Sequence, residues 1–289
     1  MKPAPFDYAR PATLGETLEL LAAQGDDAKV IAGGQSLGPL LNLRLASPGV
    51  LVDVNRLPLA DVHREDGTLI LGALVRQRDA EHNAEVAAAA PLLAEALPWI
   101  GHVAIRNRGT VGGSLAHADP ASELPAVAVA LRSEVVAASV RGRRVVPAAG
   151  LFAGPLQTVL EPDELLVSLR VPAAPPRTGS AWIEIARRHG DFALAGVAVT
   201  LTLGAGDAVV GAAIVLSGVG PTPVDADEAA RSLLGGVPGP ASFEQAAAFA
   251  AGACRPASDV HASAGYRRRV ATVLVRRALE RAYDRARGR

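Results

Sequence analysis

Cysteine is almost missing from this chain, since Cys254 is the one thiol among 289 residues. A single thiol can form neither an internal disulfide nor the ligand set of an iron–sulfur cluster. The H-E-x-x-H spacing of zinc enzymes does not occur either, so we predict no metal site and no oxidising compartment. Cys254 is expected to be a small buried residue, and the expected location is the cytoplasm.

Excess charge of one sign and long hydrophobic runs are missing as well. Lys and Arg together number 29, as do Asp and Glu, so the chain has no basic bias towards nucleic acid or anionic membrane surfaces. Long uncharged stretches, such as 192–206 and 208–224, contain Gly, Thr, Ser and Pro. They are typical of buried strands, and we expect no membrane span. The N-terminal stretch has no apolar signal core.

The first residues, to about position 55, predict a small α/β unit. Thr13 and Glu16 can form a capping box for a helix over 13–25. Strands are predicted at 28–32 and 51–54. A Gly-Gly turn and the apolar stretch LLNLRL lie between the two strands.

The middle of the chain predicts a second region of strands and helices. Its predicted elements are a strand at 69–74, a helix at 91–100, a glycine loop followed by an apolar helix within 106–131, a hairpin around Arg141-Gly142 and a strand at 163–172. The stretch PAAPPRTGS (172–180) is rich in proline and small polar residues, which predicts a linker.

Beyond the linker the pattern predicts an antiparallel α+β region. The strands AWIEIARR, AGVAVTLTL and AVVGAAIVLSGV follow one another, with the turn GAGD between the last two. Helices are predicted around 225–234, 242–252 and 263–287. The last has an apolar stripe at helical spacing, which either packs on its own domain or contacts a partner subunit.

Two segments place adjacent glycines after apolar residues, IAGGQSLG at 31–38 and GTVGGSL at 109–115. Neither is a G-x-G-x-x-G fingerprint or a Gly-Lys-Ser/Thr phosphate loop. Glycine lets backbone N–H groups approach an oxyanion without a Cβ in the way, and the hydroxyls of Ser36, Thr110 and Ser114 lie beside the glycines. The pair can hold a pyrophosphate from two sides, whereas each segment alone can equally be a tight turn.

The segments AGGQSLGPLLNLRL and TVGGSLAHADPASELPAVAVAL resemble the two FAD-contacting segments of the medium, flavin-binding subunit in the xanthine dehydrogenase and carbon monoxide dehydrogenase family of molybdenum hydroxylases. The resemblance covers residues 1 to about 285 and includes ARRHGDFALAGVAV. It implies an α+β fold with a two-lobed FAD-binding domain of the vanillyl-alcohol-oxidase (PCMH) type over 1–175, whose lobes are 1–55 and 56–175. It further implies a CO dehydrogenase flavoprotein C-terminal domain over 180–287, with a three-stranded antiparallel sheet and a helical bundle.

The resemblance also implies an FAD site without a catalytic side chain of its own. The two glycine segments would bind the pyrophosphate, Glu123 would accept hydrogen bonds from FAD hydroxyls, and Leu166 would contact the flavin through its backbone. The segment 187–192 would pass in front of the isoalloxazine ring. The cofactor-binding residues implied in this way are Ala32, Gly33, Gly34, Gln35, Ser36, Leu37, Thr110, Gly112, Gly113, Ser114, Asp119, Glu123, Leu166 and Phe192.

Several of these positions have a second interpretation, as does His117, which lies in the same loop as Asp119. Glu123 can be a carboxylate favoured by a helix N-terminus, Phe192 can be a core aromatic, and His117 can be a solvated loop residue. Gln35 stands where some enzymes of the broader fold carry a histidine that anchors flavin covalently, so noncovalent FAD is expected. Glu184 stands where members often carry a lysine, which leaves its role near the flavin open.

The resemblance implies an electron-transfer subunit. Substrate would be oxidised at a molybdenum cofactor on a large partner subunit, and electrons would reach FAD through [2Fe–2S] clusters on a small partner subunit, in a dimer of heterotrimers. The alternatives are a free-standing flavin oxidoreductase similar to UDP-N-acetylenolpyruvoylglucosamine reductase, and a non-catalytic scaffold whose glycine segments are only turns.

Overall fold

The computed structural model describes residues 2–288, and the first lobe of the chain contains a small parallel sheet. Its elements are β1 (Asp7–Ala9), α1 (Leu14–Gln24), β2 (Ala28–Ile31), α2 (Leu37–Asn42) and β3 (Val50–Asp53). The strand order is β1-β3-β2. The predicted capping box is confirmed, because Glu16 N donates to Thr13 Oγ1 at 3.2 Å and Thr13 N donates to Glu16 Oε2 at 3.3 Å.

The second lobe joins an antiparallel sheet to a set of short helices. Its strands are β4 (Val62–Glu65), β5 (Thr68–Gly72), β6 (Glu134–Ser139), β7 (Gly142–Pro147), β8 (Phe152–Gly154), β9 (Gln157–Thr158) and β10 (Leu165–Pro172). Its helices are α3 (Gln77–Glu81), α4 (Ala84–Ala89), α5 (Pro91–Ala96), α6 (Val103–Arg106), α7 (Val111–His117) and α8 (Glu123–Ala130). The main sheet has the order β4-β5-β10-β6-β7, and β8 pairs with β9. The predicted hairpin around Arg141-Gly142 is confirmed as β6 and β7.

The C-terminal domain is an antiparallel sheet covered by helices. Its elements are β11 (Thr178–Ile185), β12 (Ala195–Leu203), β13 (Val209–Ser217), β14 (Val224–Asp225), α9 (Asp227–Arg231), α10 (Pro240–Ala253) and α11 (Ala264–Ala286). The predicted α+β fold and its three strands are confirmed, and β14 adds a fourth strand to the sheet. This strand is two residues long, which is too short to give a periodic signal. The domain boundary at 175–180 stays a prediction.

Two features of the sequence form other elements than predicted. The helix expected over 91–100 ends at Ala96 and continues as a 3₁₀ turn over Leu97–Trp99, which contains a proline. Proline has no N–H for the α-helical ladder, which accounts for the change. The glycines of the second segment, expected in a loop, lie in the first turn of α7.

The second lobe and the C-terminal domain share one core. Trp182 on β11, Ala198 on β12 and Val215 on β13 belong to the same buried cluster as residues of α5 and α8. The apolar face of α11 packs within the C-terminal domain, because Leu274 and Leu279 are buried there. The prediction that Cys254 is buried is confirmed. Within residues 2–288, none of the helices is long and apolar enough to cross a membrane.

Candidate functional site

The first glycine segment connects β2 to α2 and is held through its carbonyl groups. Asn55 Nδ2 donates to the Ala32 carbonyl at 2.8 Å, and Gln35 Nε2 donates to the Gly33 carbonyl at 3.0 Å. Gly38 N donates to the Gly34 carbonyl at 2.9 Å. Gly34 has φ +70°, in the left-handed region that favours glycine. Glycine at position 34 therefore adopts this turn at a lower energetic cost than a residue with a Cβ atom would.

The N–H groups of the same segment are left without acceptors. Among the hydrogen bonds of residues 2–288, none is donated by the backbone N–H groups of residues 33–37. Gly33 is buried and residues 34–37 are half-buried. Because the chain supplies no acceptor for this run of donors, water or a bound group must accept from them. Successive N–H groups in such a turn form a concave site for an anion. We call residues 33–37 the N–H array.

The second glycine segment packs directly against the first. A Cβ atom placed on Gly33 would lie 2.8 Å from the carbonyl carbon of Arg108 and 2.9 Å from the Cα atom of Gly109. Such distances are too short for non-bonded carbon atoms. Gly33 is therefore required for the contact between the two segments, and the structure brings together the two stretches that the sequence singled out.

The N-terminus of α7 is already satisfied by the chain itself. Val111 N donates to the Val75 carbonyl at 3.0 Å, and Gly112 N donates to the Ala73 carbonyl at 2.9 Å. Thr110 is the N-cap residue, and its Oγ1 accepts from Gly113 N at 3.1 Å. The helix therefore has few free N–H donors for an anion. The assignment of Thr110, Gly112 and Gly113 to pyrophosphate binding stays a prediction.

Gly112 is needed for a packing contact that the sequence does not reveal. A Cβ atom on Gly112 would lie 2.5 Å from the Cβ atom of Ala73, so the glycine allows α7 to pack on the end of β5. Gly113, by contrast, is exposed, and Ser114 is half-buried. Of this segment, Ser114 offers the hydroxyl that is free to contact a ligand.

Two buried carboxyl groups, one from the second lobe and one from the C-terminal domain, interact electrostatically. Glu123 begins α8 and Glu184 lies on β11, and they are 4% and 8% exposed. Burial raises the pKa of Glu123 to about 8, and the charge of Glu184 adds to the effect. Burial also raises the pKa of Glu184 to about 7, although Trp182 Nε1 donates to its Oε2 at 3.1 Å and lowers it. Near neutral pH this pair favours a protonated carboxyl, which can donate as well as accept. The role of Glu123 towards FAD hydroxyls stays a prediction.

A cavity of about 570 Å³ lies where the β11–β12 connection meets the loop between α7 and α8 and the loop before α11. Asp119, Arg187, Phe192 and His261 are among its lining residues. Phe192 is 60% exposed, so the interpretation of Phe192 as a core aromatic is wrong. The cavity therefore contains two of the implied flavin-site residues, Asp119 and Phe192.

The remaining implied residues have mixed surroundings. Leu166 is buried in the core of the second lobe, next to an irregularity in the pairing of β10 with β6, so only its backbone is a candidate contact. His117 is half-buried at the end of α7. Burial lowers the pKa of His117, and this effect outweighs the charge of Asp119, which raises it. His117 is thus not a fully solvated residue.

Sequence reasoning missed two residues that join the glycine segments. Arg76 Nη2 donates to Asn55 Oδ1 at 2.7 Å, and Arg76 Nη1 donates to the Arg108 carbonyl at 2.5 Å. Asn55 in turn holds the Ala32 carbonyl. Neither residue is near the glycines in sequence, and no motif contains them, so no sequence signal was available.

Comparisons with known proteins agree along the whole chain. Residues 4–174 match the family described as the FAD binding domain in molybdopterin dehydrogenase, and residues 180–282 match the CO dehydrogenase flavoprotein C-terminal domain. The chain is 43% identical over 288 residues to the 6-hydroxypseudooxynicotine dehydrogenase complex subunit alpha of Paenarthrobacter nicotinovorans, covering 99% of this chain and 97% of the relative. It is 39% identical over 286 residues to the carbon monoxide dehydrogenase medium chain of Hydrogenophaga pseudoflava, covering 99% of both. A solved structure of the Hydrogenophaga pseudoflava enzyme, lacking the Mo-pyranopterin moiety of its molybdenum cofactor, matches with a TM-score of 0.96 at 40% identity and 99% coverage of both chains.

The residues of this chain fit the pyrophosphate of a dinucleotide. The N–H array supplies unpaired donors, and the Arg76 guanidinium lies at the junction of the two segments. Positive charge next to backbone N–H donors is the usual chemistry of a phosphate site.

Proposed function

Because the chain belongs to the family of FAD-binding medium subunits of molybdenum hydroxylases, we propose that it is the subunit through which electrons leave such a complex. It would take electrons from [2Fe–2S] clusters of a partner subunit and pass them to an external acceptor. The observation that supports this most is the N–H array packed on the second glycine segment, since it offers an anion site within residues 4–174, which match the FAD binding domain.

FAD would supply the redox chemistry, since a flavin exchanges electrons singly or in pairs. The chain's own residues would bind and orient it. The N–H array would hold the pyrophosphate, Ser36 and Ser114 would add hydroxyl contacts, and Glu123 would bind FAD hydroxyls. Phe192 would stand over the ring and limit the access of water. With Gln35 in the first segment, we propose that the FAD is noncovalent.

Substrate oxidation would take place on partner subunits. The single cysteine of the sequence cannot ligate a cluster, so any [2Fe–2S] cluster that reduces the flavin belongs to another subunit. We propose a small [2Fe–2S] subunit and a large molybdenum-cofactor subunit as partners, in a dimer of heterotrimers located in the cytoplasm. A free-standing reductase is less well supported, because residues 180–282 match the CO dehydrogenase flavoprotein C-terminal domain.

Purification of the tagged chain from its native cell tests the proposal. We expect a yellow preparation from which acid precipitation releases all the flavin as intact FAD, with iron and molybdenum present at a fixed ratio to this chain. Flavin that stays on the precipitated chain would contradict noncovalent binding. A flavin-loaded chain without stoichiometric iron or molybdenum would contradict the proposed partners.

A further inference from the structure

Arg76 bridges the two glycine segments through its guanidinium group. Nη1 donates at 2.5 Å to the carbonyl of Arg108, the residue directly before the second glycine segment. Nη2 donates to Asn55 Oδ1 at 2.7 Å, and Asn55 Nδ2 donates to the Ala32 carbonyl at 2.8 Å. One side chain thereby fixes the position of the N–H array relative to the other lobe.

The charge of Arg76 is not neutralised by the chain. Among the ion pairs of the described residues, Arg76 takes part in none. Burial, and then the positive charge of Arg108, lowers its pKa, while Asp53 and Asp79 act on it only at a distance. A guanidinium has five N–H donors, and the two bonds described above use two of them. The remaining donors and the uncompensated charge favour an anion at this junction.

We propose that Arg76 is a positioning residue for the dinucleotide pyrophosphate, which sets the geometry of the N–H array and contributes its charge to pyrophosphate affinity. The inference rests on the proposed function, since it assumes that this site binds FAD. It adds a residue that lies outside both glycine segments and links the first lobe to the second.

The test is a titration of the full-length apo chain with three probes: FAD, ADP and riboflavin. ADP carries the pyrophosphate without the flavin ring, and riboflavin carries the ring without phosphate. Arg76→Ala is expected to weaken binding of FAD and ADP by about tenfold to a hundredfold, as for loss of a charged hydrogen-bonding group, and to leave riboflavin affinity unchanged. The salt dependence of FAD binding should also decrease.

Two further variants separate position from charge. Arg76→Lys keeps the charge but cannot bridge two acceptors in the same way, so its FAD affinity should lie between those of the wild type and Arg76→Ala. Asn55→Ala removes the link to the first segment and keeps the arginine, so it should weaken ADP binding less than Arg76→Ala does. Arg143→Ala, at an exposed position on the β6–β7 hairpin, is the matched control for loss of one positive charge.

The outcomes are distinguishable. Wild-type apo chain that binds neither FAD nor ADP would refute the proposed function itself. Wild-type binding with unchanged affinity in Arg76→Ala would overturn only the role of Arg76. An equal loss for riboflavin and ADP would show a general structural effect, which also overturns it. If Arg76→Ala does not fold, the same three titrations are made with Arg76→Lys. We then expect a loss of affinity for ADP and FAD but not for riboflavin.

Discussion

Replacement of Gly33 by alanine tests the contact that brings the two glycine segments together. The added Cβ would lie 2.8 Å from the carbonyl carbon of Arg108 and 2.9 Å from the Cα atom of Gly109. Carbon atoms in ordinary contact are about 3.5–4.0 Å apart, so the segments must separate by about 1 Å. Both neighbours are backbone atoms and cannot move aside by rotation of a side chain.

The expected cost follows from this overlap. Forcing extra atoms into a packed contact costs about 1–3 kcal/mol, which for a chain of this size lowers the melting temperature by about 2–10 °C. The same displacement moves the N–H array away from the second glycine segment and from the Arg76 bridge to it. Because hydrogen bonds to a charged group contribute about 1.5–3 kcal/mol each, we expect FAD affinity to fall by at least about tenfold.

The assay combines thermal melting of the apo chain with fluorescence titration of FAD. The matched control is Gly15→Ala in α1, where an added Cβ meets nothing within 4 Å. Alanine there should raise stability by about 0.4–1 kcal/mol and leave FAD binding unchanged. A Gly33→Ala chain with the melting temperature and FAD affinity of the wild type would refute the claim that the segments are in direct contact.

Three other predictions follow from the burial of individual side chains. The pKa of Glu123 is raised to about 8 in the folded chain, so its contribution to stability is present below the pKa of the unfolded chain and is lost as pH rises through 8. Glu123→Gln should therefore raise the melting temperature of the apo chain more at pH 9 than at pH 5. An equal change at both pH values would contradict the burial argument. Burial raises the pKa of Cys254 to about 11, so thiol reagents should modify it only when the chain unfolds, and rapid labelling of native protein would disagree. Phe192→Ala should change the unfolding free energy by less than about 0.5 kcal/mol, because the side chain is mostly exposed. The same change should increase iodide quenching of bound flavin, and unchanged quenching would place Phe192 away from the ring.

Local signals in the sequence predicted much of the fold. The capping box of α1 and the hairpin of β6 and β7 depend on residues close together in the chain, so the sequence pattern is enough to indicate them. The same holds for the long alternating strands β11, β12 and β13. The two-residue strand β14 exists only through its pairing with β13, and no local sequence pattern indicates that pairing.

The candidate site was only partly predictable, because its glycines are needed for different structural purposes. Gly34 is favoured by its positive φ, whereas Gly33 is required by its contact with the other segment. Gly112 is required by the packing of α7 on Ala73, so Gly112→Val is expected to impair folding and not FAD binding alone. Arg76 acts through tertiary contacts between two lobes, and such contacts are not visible in a single sequence.

The most direct test of the proposed electron-transfer role compares flavin reduction in the isolated chain with that in the complete complex. Candidate organic substrates, and carbon monoxide, are added without oxygen while the loss of flavin absorbance is followed. We predict that the isolated, FAD-loaded chain keeps its absorbance with every substrate, and that the complex bleaches rapidly with its own substrate. Rapid bleaching of the isolated chain by an organic substrate would contradict the account and would favour a free-standing flavoenzyme.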